Sequence, residues 1–131
     1  SKEITNAVSE VSALQPVREK IVKIQKDITE NGNFVIEGRD IGTVLYPGAK
    51  YKFFLIADYD TRAERRLKDF KRLNEELNVN KIKQDLIDRD QYDSSRKLSP
   101  LKQASDAIVI DTSNCTFDDQ VNQIYKHIER N

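Results

Sequence analysis

At 131 residues, the chain suits one domain with room for a real core. Its 22 Lys and Arg balance 22 Asp and Glu, and a net charge of zero argues against a basic surface built for nucleic acid. A lone Cys115 excludes an internal disulfide and a Cys-rich metal site, and no apolar run reaches the ~20 residues of a membrane span. No signal-peptide pattern opens the chain, so the expectation is a soluble, cytoplasmic, globular unit with no nucleic-acid partner, no membrane and no metal ligands.

In chain order, Glu3 to Leu14 shows helical spacing, with Ile4, Ala7, Val8, Val11 and Leu14 on one face. Pro16 suits a first helical turn and opens a second helix to about Glu30, through Val17, Ile21, Ile24 and Ile28. Asn33 to Glu37 (NFVIE) then reads as a short buried strand, ending at Glu37-Gly38-Arg39-Asp40. Tyr51 to Ala57 reads as a second strand. Thr61 to Leu77 predicts a third helix, through Ala63, Leu67, Phe70, Leu73 (or Asn74) and Leu77. A fourth helix is predicted over about Val79 to Tyr92, through Ile82, Leu86 and Ile87. Ala107 to Asp111 predicts a third strand, and Phe117 to Ile128 a closing helix with Val121, Ile124, Tyr125 and Ile128 inward.

Strands alternating with helices predict an α/β fold with a mostly parallel sheet covered on both faces. Ligands collect at the carboxyl ends of such strands. Three predicted ends are polar: EGRD, ADYDTR (residues 57–62) and DTSN (residues 111–114), and their convergence on one rim would make a site. Three strands are few for five helices, so further strands are expected upstream. Arginines gather at Arg62, Arg65 and Arg66, and again at Arg89 and Arg96 around Asp93. Arginine's planar fork holds phosphoryl groups, and i, i+4, i+7 spacing puts Arg89, Asp93 and Arg96 on one helical face. Two bland readings stay open: RAERR as a solvated face with ion pairs, and Arg89–Asp93 as a simple intrahelical pair. Arg39 and Asp40 point more firmly to function, because strand ends rarely keep two charges without use. His127 reads as a surface or boundary residue, Cys115 as inert, and Gly38 and Gly42 as turn-shaping.

The stretch EGRDIGTVLYPGAKYKFFLIADYDTRAERR (residues 37–66) closely resembles bacterial cytidylate kinases, which phosphorylate CMP and dCMP with ATP. NAVSEVSALQPVR (6–18), DRDQYDSSRKLSPL (88–101) and DAIVIDTS (106–113) resemble the same family in the same order and spacing. The resemblance implies a P-loop nucleoside monophosphate kinase-like fold, three layers α/β/α on a parallel sheet, with a CMP-binding insertion and a lid. It implies that Ser9, Arg18 and Asp40 contact cytosine and that Asp93 binds ribose. Arg39, Arg89 and Arg96 would hold the phosphate and be the catalytic candidates, and Arg62, Arg65 and Arg66 would begin the lid on the ATP side. Such a pairing makes chemical sense, because a carboxylate accepts from the cytosine amine while an arginine donates to ring acceptors.

The family's P-loop pattern, G-x-x-x-x-G-K-[ST], occurs nowhere in the chain, and its SGAIYR-like segment is missing. The N-terminal strands and P-loop are therefore expected to lie outside this chain, which would be the C-terminal part of a cytidylate kinase. In that reading 1–15 end the CMP-binding insertion, 16–57 and 98–131 form core, and about 58–97 form the lid. ATP and Mg²⁺ would be held mainly by the missing part, and the chain alone would transfer no phosphate. A nucleotide-binding module without catalysis, and a kinase for another monophosphate, are the alternatives. Apolar sheet edges would be open, so self-association or binding of the severed N-terminal part is expected.

Overall fold

The computed structural model describes residues 2–72 and 78–129, with side chains for all of these except 2–6, 9, 71 and 72. The order is α1 (Lys2–Ala13), α2 (Gln15–Ile28), a π-helical turn (Ile41–Leu45), β1 (Phe53–Ile56), α3 (Tyr59–Arg72), α4 (Val79–Ser95), β2 (Ile108–Asp111) and α5 (Phe117–Glu129). The architecture is α/β with a parallel sheet. All five expected helices form, although the expected end of the third, with Leu73, Asn74 and Leu77, lies outside the described residues. The chain divides into two compact units: residues 1–48 with 89–102, and residues 49–88 with 103–131. The division falls inside α4.

In the first unit, α1 packs on α2 across a tight corner at Leu14. Leu14 is extended there (φ −71°, ψ 121°), and Pro16 sits in the opening turn of α2, where its missing N–H is no loss. Val8, Val11, Ile21 and Ile24 keep two-fifths or more of their surface exposed. The segment 33–37 has no regular secondary structure and pairs with no strand, which corrects the sequence reading. Val35 is fully exposed and Phe34 about half exposed, at 104% and 48%. β-branched and aromatic residues favour a strand only where a neighbour offers a ladder to join, and this segment joins none among the described residues. The expectation of three polar strand ends is thereby reduced to two.

In the second unit, β1 and β2 pair in parallel with Phe53 opposite Ile108 and Ile56 opposite Asp111. Ile110 is buried, as are Ala63 of α3 and Ile82 of α4. Of the strands' other apolar positions, Phe53, Phe54 and Ile108 are half-buried, while Leu55, Ile56 and Val109 keep two-fifths to one-half of their surface exposed. Tyr51 reaches α5, donating its hydroxyl to the Ile128 carbonyl at 3.3 Å, and the His127 ring lies 6.2 Å from that of Phe53. His127 is thus a boundary residue, as its sequence context suggested.

Candidate functional site

Asp40 begins the site because the chain folds tightly just after it. Its carbonyl accepts N–H groups from Thr43 (3.3 Å), Val44 (2.8 Å) and Leu45 (3.3 Å), and the next wide turn closes from Tyr46 to Ile41 at 2.7 Å. Such π turns are rare and concentrate at functional positions. Gly38 precedes it for a steric reason: a Cβ there would stand 2.9 Å from two side-chain carbons of Ile41. Gly42 lies inside the π turn. Farther on, Tyr46 anchors the turn to α2, its hydroxyl donating to the Gln25 carbonyl (3.2 Å) and meeting the Thr29 hydroxyl.

Two buried carboxylates organise the cleft. Asp40, 3% exposed, is paired with Arg18 of α2. Asp93 near the end of α4 is 1% exposed and lies within reach of three arginines: Arg39 at 3.1 Å, Arg96 at 3.4 Å and Arg89 at 3.9 Å. The helix runs to Ser95, so the i, i+4 relation of Arg89 and Asp93 is real. A simple intrahelical pair does not describe it, because the same carboxylate also serves Arg39 and Arg96. Asp93 Oδ2 accepts no hydrogen bond among the described residues, so a buried acceptor stands beside two guanidiniums. Three guanidiniums against one carboxylate leave an excess of positive charge, which suits an anionic ligand.

These residues line one cleft of about 170 Å³ with Val8, Ile21, Gln25, Glu37 and Ile41. Of the expected site residues, Arg18, Arg39, Asp40, Arg89, Asp93 and Arg96 are therefore brought together. Ser9 falls on α1, but its side chain is outside the described residues. One participant carries no signal in spacing or composition: Ser99 accepts from Arg18 Nε through its hydroxyl (2.8 Å) and from Arg96 Nε through its carbonyl (2.7 Å).

Arg62, Arg65 and Arg66 belong to α3 in the other unit. Arg65 donates to both the hydroxyl (3.1 Å) and the carbonyl of Thr112, tying α3 to the end of β2. Arg62 lies over the Tyr59 ring at 5.2 Å and Arg66 over Phe70 at 4.8 Å. The two polar strand ends also satisfy each other. Asp58 accepts from the Thr61 N–H (2.7 Å) and hydroxyl (2.9 Å), while Ser113 Oγ accepts from the Asp58 N–H at 2.9 Å. Those Thr61 bonds, the backbone one foremost, hold the Asp58 carboxyl below its ordinary value. Asp111 is lowered in the same way by the Ser113 N–H. Cys115 donates weakly to the Asp111 carbonyl at 3.5 Å and accepts from Gln123. Among the described residues no group of three or more His, Cys, Asp or Glu could hold a metal, and no helix is long and apolar enough to cross a membrane.

Parallel strands joined through helices, with four arginines gathered on two buried carboxylates, place the chain in the α/β class and give it a polar cleft fit for an anion. A sequence model described as cytidylate kinase matches residues 1–130, and the chain belongs to the cytidylate kinase family. It is 43% identical over 129 residues to a cytidylate kinase of Fusobacterium nucleatum, covering 98% of this chain and 59% of that protein. It is 45% identical over 130 residues to one of Protochlamydia amoebophila, covering 96% and 57%. A Clostridium botulinum relative is 44% identical over 127 residues, covering 97% and 58%. The chain thus spans less than three-fifths of the length of these curated relatives.

Proposed function

We propose that this chain supplies the acceptor side of an ATP-dependent kinase that converts CMP and dCMP to CDP and dCDP. The observation that carries the reading is one cleft with two buried carboxylates of different surroundings, Asp40 with a single arginine and Asp93 with three. At the first, cytosine donates its amine to Asp40 while Arg18 donates to the ring acceptors. Uracil would turn an oxygen toward Asp40, leaving two acceptors face to face, which such a site rejects strongly. At the second, Asp93 Oδ2 accepts from a ribose hydroxyl, and Arg39, Arg89 and Arg96 hold the 5′-phosphate. Ser9 is assigned to cytosine on the family resemblance alone.

The reaction needs orientation and charge neutralisation, not a protein nucleophile. A phosphate oxygen of CMP attacks the terminal phosphorus of ATP, forming one O–P bond as the bond to the ADP oxygen breaks. Arg39, Arg89 and Arg96 fix the attacking oxygen and offset the charge around it. Mg²⁺ belongs to the same proposal through the family, but among the described residues no group of three or more His, Cys, Asp or Glu offers it a ligand set. Residues 58–97 remain the proposed lid, 1–15 the end of the CMP-binding insertion, and 16–57 with 98–131 the core. Arg62, Arg65 and Arg66 are the proposed ATP-side residues, with Arg65 engaged on Thr112 until the lid moves. A cytoplasmic setting is part of this reading.

The alternative reading is a nucleotide-binding module without catalysis, which would use the same cleft but show no turnover. Calorimetric titration with CMP, dCMP, UMP and AMP, followed by an ATP-dependent CDP assay, separates the cases. Preference for CMP without turnover by this chain is the expected outcome. Preference for UMP or AMP would overturn the substrate assignment, and CDP formation by the chain alone would overturn the division of labour.

A further inference from the structure

Ser99 has a backbone φ of 52°, and it alone among the described non-glycine residues lies in the left-handed region. Serine is uncommon there, and Pro100 next to it disfavours the right-handed helical alternative. The residue is 6% exposed. In this conformation one residue presents two acceptors to two different arginines, its hydroxyl to Arg18 and its carbonyl to Arg96. Each arginine is then anchored alike: Nε on Ser99, and one terminal nitrogen on a buried carboxylate, Asp40 for Arg18 and Asp93 for Arg96. A planar guanidinium held through both of these edges has one direction left for its remaining terminal nitrogen.

We propose that Ser99 is a positioning residue that sets base selectivity through Arg18, while its carbonyl separately steadies Arg96. The inference rests on the reading of Arg18 and Asp40 as the cytosine-facing pair. Its chemical core is that the two acceptors can be separated. Ser99→Gly deletes the hydroxyl, keeps the carbonyl, and accepts a positive φ more readily than serine, so the backbone has no cause to rearrange. Arg18 then keeps its carboxylate but loses the second anchor that fixes its orientation.

The test uses the whole chain and two readouts. Without ligand, the Nε–H signals of Arg18 and Arg96 are followed by ¹⁵N NMR. In S99G, solvent exchange at Arg18 is expected to quicken roughly tenfold, the worth of one hydrogen bond to a charged group, with Arg96 unchanged. With ligand, the ratio of CMP to UMP affinity is expected to fall roughly tenfold, while ribose 5-phosphate binds as before. In an R18K background, adding S99G should change the ratio no further. Equal protection of Arg18 in both proteins, or a CMP preference that survives in S99G, overturns the role of Ser99 and leaves the proposed function standing. A parent chain that shows no preference for CMP overturns the cytosine reading itself, and the selectivity role with it.

Discussion

Asp93 carries more of the site than any other single side chain, because three arginines converge on it while water is excluded. Replacing it by asparagine keeps the shape and removes the charge, leaving those guanidiniums uncompensated. D93N should lower stability by about 2 kcal/mol, less than a fully buried pair would lose because Arg39 and Arg89 are about one-third exposed. The urea midpoint checks this, and the slope of the transition should not change. CMP affinity should fall by more than tenfold in the same protein, since a ribose acceptor is lost as well. Gly38 invites a different substitution. In G38A the new methyl must displace Ile41, and the strain falls on the turn that holds Asp40, so about 1 kcal/mol of stability should go with part of the CMP affinity. A melting temperature equal to the parent's would show that Ile41 moves aside without cost.

Elements in the second unit are tied by their caps. Thr116 and Asp119 form a reciprocal box at the start of α5, the Thr116 N–H bonding the carboxylate at 3.0 Å and the Asp119 N–H bonding the hydroxyl at 3.2 Å. T116A should cost about 1 kcal/mol, measured by denaturant unfolding. Asp58 does similar work for α3, and its carboxyl is held below the ordinary value of 3.8 by Thr61. A depressed carboxyl stabilises the fold fully above that ordinary value and loses its contribution as the pH falls through the lower, folded one. Asp111 and Asp119 are shifted the same way, so the unfolding midpoint should drop as the pH is taken well below 3.8. D58N should soften that drop.

The helices were legible from their 3.6-residue apolar spacing, and Pro16 marked its boundary well. Phe34-Val35-Ile36 misled because apolar β-formers read alike whether or not a ladder is there to receive them. Helical spacing already placed Arg89 and Arg96 beside Asp93, but Arg39 lies some fifty positions away, which spacing cannot register, and only the family resemblance linked it to the same ligand. Ser99 lies inside the family-like stretch 88–101 but was not singled out, since a positive φ at serine leaves no trace in composition.

At the scale of the molecule, apolar side chains stay in water in both units: Val35 and Ile28 in one, Phe117 and Tyr125 in the other. Surfaces of this kind associate. Light scattering after size exclusion should therefore show mass rising with concentration, and V35K should reduce it. A single mass of 15.2 kDa across the concentration range would refute the expectation. The cleft also has a history in time. Its arginines and carboxylates come from residues 18–40 and 89–96, so Asp93 cannot meet Arg39 until the chain between them has closed on itself. Closing a span that long is slow compared with winding a helix, although each added residue lengthens the wait only slightly. In refolding, helical signal should therefore precede any ability to hold a nucleotide, and a chain caught midway would look folded while its cleft did not yet exist.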